Sequence, residues 1–294
     1  MQRLLKVLML CSFCLSLNAA AADDALLLRN KYASLSEKLK TNQFNRPLYL
    51  ESTESSTSLK GDIYALLDYP YATVNKALNE PTQGPQNWCD VLILHINTKY
   101  CHTVAGKNGT VLNVNIGKKT DQELSDAYRV QFNYNPVTSS SAATEYFQVG
   151  LSADSGPLGT KDYQIVVEAA AISGNRTFLH LTYAYSYGFA GRVAMKAYLA
   201  TIGSKKVGFT TLNDEDKNYI GGVRGVVERN TFRYYLAIDA YLNALSATPD
   251  KRLEKRLNNW FNATEQFPRQ LHEVDLNEYL DMKHKEIERQ KTAQ

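Results

Sequence analysis

The chain has 294 residues, with 33 Lys and Arg against 30 Asp and Glu, a formal net charge of +3. So small an excess, with the C-terminal cations interspersed among acids, leaves no basic stripe and excludes nucleic acid as a partner. The composition is that of a globular protein rich in tyrosine (19 residues), and the length suits one large domain or one domain with an appendage.

Residues 1–22 read as a secretory signal. Arg3 and Lys6 supply its positive start, Val7 to Leu17 its apolar run, and Ala19 to Ala22 the small residues of a cleavage site. That apolar run falls short of the roughly 20 residues needed to span a bilayer. The expected product is an exported, most simply periplasmic, chain beginning near Asp23, with no transmembrane segment. Cleavage leaves Cys89 and Cys101 as its cysteines. In an oxidising compartment they form either a disulfide, with a loop worth about 3 kcal/mol, or two buried thiols.

In chain order, Leu28, Tyr32, Leu35 and Leu39 mark one face of an opening amphipathic helix. Strand-like runs follow around Pro47–Glu51 and Leu59–Leu66, then a short helix from Pro70 to Leu78 and a loop over Glu80–Asn87. From Trp88 onward the pattern is strand after strand: Val91–Asn97, Tyr100–Val104, Thr110–Gly117, Ala127–Tyr134, Glu145–Ala153, Tyr163–Ala170 and Arg176–Tyr187. Turn chemistry separates them at Lys107-Asn108-Gly109, Ser155 to Gly159 and Ser173-Gly174-Asn175. Connections this short imply antiparallel pairing. A helix is then expected over Arg192–Ile202, with Gly203 as its left-handed cap, and a long one over Tyr219–Leu245. Thr248-Pro249-Asp250 starts a third helix, which Pro268 closes. The remainder to Gln294 reads as a charged helix that frays.

This order, with Trp88-Cys89-Asp90, Leu94 to Cys101, Gly156-Pro157-Leu158-Gly159-Thr160, Tyr183 to Tyr187 and Lys206 to Thr210, resembles the START-like, helix-grip superfamily. It also resembles a family of exported bacterial START-like proteins. The resemblance covers about Leu48 to Thr210. It implies an α+β fold in which a curved antiparallel sheet wraps a C-terminal helix, with an additional helical tail. The corresponding division is a signal peptide at 1–22, a helix-grip domain at 23–211 and a helical extension at 212–294, packed on or beside it. Which C-terminal helix fills the grip stays open.

No familiar catalytic signature is present: no G-x-S-x-G, H-E-x-x-H, P-loop or C-x-x-C. Neither a metal, a cofactor nor a catalytic residue is therefore assigned. The candidate ligand-binding residues are His95, Asn97, His180, Tyr183, Tyr185, Arg224 and Arg233. The histidines and tyrosines join apolar bodies to polar tips on strands that line a cavity. On the long C-terminal helix, Arg224 pairs with Glu228, and Arg233 follows Arg229, at four-residue spacing; such arginines bind a carboxylate or phosphate headgroup, form a solvated face, or pin the helix to its sheet. The expected function is carriage of a hydrophobic small molecule or lipid. An enzyme using a His or Tyr acid/base in the same cavity, or a module docking a protein partner, are the alternatives.

Overall fold

The computed structural model describes residues 23–137, 145–200, 206–213 and 218–292. The expected signal peptide, the end of the Arg192–Ile202 helix and the Gly203 cap lie outside the described residues. Helix α1 (23–34) and its continuation α2 (Ser36–Lys40) lead into β1 (Leu48–Glu54) and β2 (Ser58–Leu67). Two short helices follow, α3 (Tyr71–Leu78) and α4 (Gly84–Leu92). Six strands come next: β3 (Thr98–Gly106), β4 (Gly109–Ile116), β5 (Tyr128–Val137), β6 (Tyr146–Ser155), β7 (Thr160–Ile172) and β8 (Arg176–Tyr187). Helix α5 (Phe189–Ala200) and a small hairpin of β9 (Thr211–Asn213) and β10 (Asn218–Tyr219) precede α6 (Gly222–Ala244). Then come α7 (Arg252–Glu265), α8 (Pro268–Leu271) and α9 (Leu276–Thr292).

The eight strands form one sheet in the order β1-β2-β8-β7-β6-β5-β4-β3, every neighbouring pair antiparallel. Period-2 alternation divides its two faces. Leu179, Leu181, Tyr183, Tyr185 and Tyr187 of β8 join the main core, with Ile165, Val167 and Ala169 of β7. The opposite face presents Tyr64, Tyr146, Ala170 and Phe178, and the stripe Leu28, Leu35 and Leu39 of α1 and α2 covers it.

Helix α6 lies against the inner face, packed on β2, β1 and β8, with α7 behind it. It is buried around its circumference, as a helix between two layers must be. At Gly61 of β2 a Cβ would meet Thr231 Oγ1 of α6 at 2.2 Å, so the bare glycine sets how closely sheet and helix approach. This is the helix grip. Its helix is α6, the choice that the sequence left open: α5 is too exposed to fill a core, with Phe189 84 % and Val193 51 % accessible. Buried residues form one continuous cluster from Phe44 to Met282, to which α6, α7 and α9 all contribute.

The structure differs from the sequence reading at two further places. Val91–Asn97 is not a strand. It is the end of α4 followed by a tight turn, and α4 itself begins inside the expected loop. Trp88, Val91 and Leu92 are buried at helical spacing, and a short continuous apolar run carries no periodicity that separates helix from strand. The C-terminal helix does not fray. Tyr279, Met282, Lys283 and Glu286 bury one face of α9 against β3 and α7. Among the described residues no helix is long and apolar enough to cross a membrane.

Candidate functional site

Between the inner face of the sheet and α6 lies a cavity of about 260 Å³. Tyr163, Tyr183 and Tyr185 form its sheet wall, Val226, Asn230 and Tyr234 its helix wall, and His95 and Asn97 close one end. Pro157, Leu158 and residues Gly191 and Met195 of α5 border it on the opposite side. Gly191 is needed there: a Cβ would stand 3.1 Å from the Tyr187 Cβ and 3.4 Å from the Gly159 carbonyl oxygen.

The His95 turn owes its shape to elements distant in sequence. Cys89 of α4 and Cys101 of β3 are joined by a disulfide that brackets it, with their Cα atoms 5.2 Å apart. A turn leaves carbonyls that a strand would have paired, and buried carbonyls need partners. Tyr279 of α9 donates its hydroxyl to the Leu94 carbonyl at 2.9 Å, and Lys283 Nζ donates to the carbonyls of His95 (2.9 Å) and Thr98 (2.8 Å). Lys99 Nζ takes the Ile96 carbonyl at 3.2 Å. Both lysines are fully buried and share one carboxylate, Glu286, at 3.0 Å from Lys99 and 2.8 Å from Lys283. Burial is the largest influence on Lys283 and holds its pKa down to about 8 despite the Glu286 charge.

His95 itself is 3 % exposed and stacks on the Tyr234 ring, with centroids 4.7 Å apart. Its Nδ1 accepts the Asn97 backbone N–H at 3.2 Å, which assigns the proton of the neutral ring to Nε2. Burial, together with the charges of Arg233, Lys283, Lys119 and Lys99, holds its pKa well below the ordinary imidazole range. The ring is neutral at physiological pH, and Nε2 has no hydrogen-bond partner among the described residues. Asn97 fixes the neighbouring strand end by donating from Nδ2 to the Gly117 carbonyl at 2.7 Å.

The tyrosines pack ring to ring. Tyr163 and Tyr185 are stacked at 5.1 Å, and Tyr183 lies 5.1 Å from Tyr234. Tyr163 shares a 2.8 Å hydrogen bond with Thr160 Oγ1, whereas Tyr185 reaches only the Met195 sulfur, at 3.9 Å. Burial raises the pKa of all these hydroxyls, so each keeps its proton. The arrangement offers apolar ring faces along the walls and hydrogen-bond donors at their edges.

Four expected site residues thus meet at one cavity: His95, Asn97, Tyr183 and Tyr185. The other three do not. His180 points to the opposite face of β8, where Nε2 lies 2.9 Å from Asp62 Oδ1 and Nδ1 2.8 Å from Glu168 Oε2. Tyr146 donates to Glu168 at 2.7 Å, Thr182 to Asp62 at 2.7 Å, and Tyr64 stacks on the imidazole at 4.2 Å. Burial opposes its charge, but the two carboxylates prevail and raise the His180 pKa. Arg224 ties α6 to β1, with Nε 3.1 Å from Ser52 Oγ and Nη2 3.1 Å from the Ser52 carbonyl. Arg233 is buried against Glu273, at 2.6 Å, and the Leu271 carbonyl. Arg224 thus pins α6 to the sheet, and Arg233 pins it to the segment around Leu271 and Glu273. Tyr163 and Tyr234 were not among the expected site residues. Among the described residues no group of His, Cys, Asp or Glu is arranged to hold a metal ion.

No protein-family model matches the chain, and no curated protein matches it. Solved structures do. Norcoclaurine synthase from Thalictrum flavum, a point mutant in complex with a transition-state analogue, is 11 % identical over 49 % of this chain and 86 % of its own, with a TM-score of 0.35. Ara h 8.0201 is 14 % identical over 67 % of this chain and 99 % of its own, with a TM-score of 0.36. Human StAR-related lipid transfer protein 5 is 7 % identical over 62 % and 90 %, with a TM-score of 0.33.

Proposed function

We propose that this protein is exported and binds a small hydrophobic molecule in the cavity between the sheet and α6. The observation that carries the reading is the cavity wall, made of tyrosine ring faces and aliphatic groups with polar tips at the rim. Pockets for drug-sized ligands run from about 300 to 1,000 Å³. At about 260 Å³ the space suits a single ring or a short chain, and a two-chain lipid exceeds it. The Cys89–Cys101 disulfide supports an oxidising address, as does the N-terminal charge and hydropathy pattern.

The test uses the chain from Asp23 onward and indole, a neutral single-ring probe. Calorimetry should show saturable binding, and Val226→Trp, which fills the cavity from α6, should abolish it without lowering the melting temperature. Binding that survives Val226→Trp would place indole elsewhere and refute the site. For export, N-terminal sequencing of secreted material should begin within a few residues of Asp23; recovery of Met1 would refute that part.

A further inference from the structure

The cavity is polar without being charged. No Asp, Glu, Lys or Arg lines it among the described residues. The cations behind its His95 end are engaged elsewhere, Lys99 and Lys283 with Glu286 and Arg233 with Glu273. A charged ligand would therefore leave water without a counter-ion, which costs far more than burying a hydrogen-bonded neutral group. Two of the lining hydroxyls are open. Tyr234 of α6 is 8 % exposed and Thr98 of β3 3 %, and neither side-chain oxygen makes a hydrogen bond among the described residues. Neither oxygen is sealed from solvent, in contrast to His95 Nε2, which forms part of the wall behind Tyr234 and no contact point. The Tyr234 ring packs on His95, with centroids 4.7 Å apart, and lies 5.1 Å from the Tyr183 ring, which leaves its hydroxyl edge to meet the cavity. Thr98 belongs to the same end, since its backbone N–H donates to the His95 carbonyl at 2.9 Å. Tyr163 and Tyr185, on the sheet wall, already have Thr160 Oγ1 and the Met195 sulfur.

We infer that the ligand of this cavity is an uncharged one-ring molecule with a carbonyl oxygen, its ring against Tyr163, Tyr183 and Tyr185 and its oxygen on the Tyr234 hydroxyl. The inference rests on the cavity reading above and adds the ligand's charge and the place of its polar atom. About 260 Å³ holds one ring with a short substituent. The ring replaces water against the tyrosine faces. The oxygen takes a hydrogen bond from a group more than nine-tenths buried that the protein itself leaves open, whereas a hydrocarbon of the same shape would leave that group unpaired.

The experiment compares three compounds of nearly one shape: acetophenone, benzoate, which carries a charge, and α-methylstyrene, in which a CH₂ replaces the oxygen. Calorimetry with the chain from Asp23 onward at pH 7 should show saturable binding of acetophenone and at least tenfold weaker binding of benzoate. Tyr234→Phe keeps a ring against His95 and removes the hydroxyl. It should weaken acetophenone at least threefold and leave α-methylstyrene within twofold of its wild-type affinity. Should Tyr234→Phe fail to fold, the wild-type protein still answers: the carbonyl resonance of ¹³C-labelled acetophenone should move downfield, on binding, of its position in hexane. Benzoate binding as tightly as acetophenone overturns the inference and leaves the cavity reading standing. So does a folded Tyr234→Phe that treats ketone and alkene alike, or a bound carbonyl that resonates where it does in hexane. Binding of indole without binding of acetophenone has the same meaning. If none of the three compounds nor indole binds at millimolar concentration, the cavity reading falls and the inference falls with it.

Discussion

Glu286 is the residue whose loss the structure makes most costly. It stands between Lys99 and Lys283, all three essentially without solvent contact, and it is the carboxylate to which both lysines are paired. Glu286→Gln preserves the shape and removes the charge, leaving two buried cations with neutral partners only: backbone carbonyls and, for Lys99, the Met282 sulfur. Removing one partner of a buried pair costs about 3–5 kcal/mol. For a chain of this size that corresponds to a fall in melting temperature of roughly 6–20 °C. Lys283→Met is a milder change, because the Lys99–Glu286 pair survives it and the His95 carbonyl retains the Thr98 N–H at 2.9 Å. Its cost should be about 1–2 kcal/mol, the worth of the lost hydrogen bonds less the relief from burying a second cation. In the Glu286→Gln background the sign should reverse: Lys283→Met then removes an uncompensated charge and should restore about 1–2 kcal/mol. Urea denaturation followed by circular dichroism measures all four corners of this cycle. A cost below about 1 kcal/mol for Glu286→Gln, or the same sign for Lys283→Met in both backgrounds, would refute the shared-carboxylate account. The pH dependence follows from the same burial. The Lys283 pKa is held to about 8, against 10.5 for the free side chain, so between those values the unfolded chain binds more protons. Its contribution to stability therefore rises with pH from about 8, best read up to about 9.5, before unfolded tyrosines begin to ionise near 10.

His180→Gln should cost about 2–3 kcal/mol at pH 6, the lower end for a buried pair because Lys60, Thr182 and Tyr146 still partner the carboxylates. Its folded pKa is raised, so that stability is fully present below the unfolded value near 6.5 and is lost as pH rises through the folded one; indole binding on the other face should not change. Gly61→Ala should cost about 2 kcal/mol by driving a Cβ into Thr231, and adding Thr231→Ala should recover much of it, in thermal melts of the single and double variants. Replacing Cys89 and Cys101 together by serine should cost about 3 kcal/mol in urea titrations, and no change would show the loop to be held by α9 alone.

The strands from Gly109 to Tyr187 were legible because a sheet with one face on the core and one under a partial cover alternates cleanly, and tight turns mark its corners. The same alternation separates His180 from Tyr183, three residues on, and so assigns them to opposite faces; only grouping by chemical type put both in one site. What His180 meets was not legible. Glu168 and Asp62 reach it across strand pairs, through the registers Glu168 to His180 and Asp62 to Thr182, which no local pattern encodes. The buried face of α9 escaped notice for a different reason. Two of its members, Lys283 and Glu286, are charged, and charge at helical spacing ordinarily marks a solvated face. Choosing α6 over α5 as the gripped helix turns on burial all round its axis, Glu228, Arg229 and Arg233 included, which a search for a single apolar stripe does not register.

The His95 turn shows how a mistaken element still put two expected residues at one cavity. As a strand, Val91–Asn97 would have placed His95 and Asn97 on one face and committed their backbone groups to a ladder. In the turn the two side chains still converge on the cavity, but the Asn97 N–H is free to bond His95 Nδ1, and that bond fixes the tautomer. The carbonyls released from pairing pass to Tyr279, Lys283 and Lys99, which draws α9 and its cations up behind the imidazole. A buried neutral imidazole with four cations behind it is therefore one consequence of a single fact, that this segment bends where it was expected to run straight. The sheet provides the apolar walls of the cavity, and the C-terminal helix, through that turn, provides its polarity.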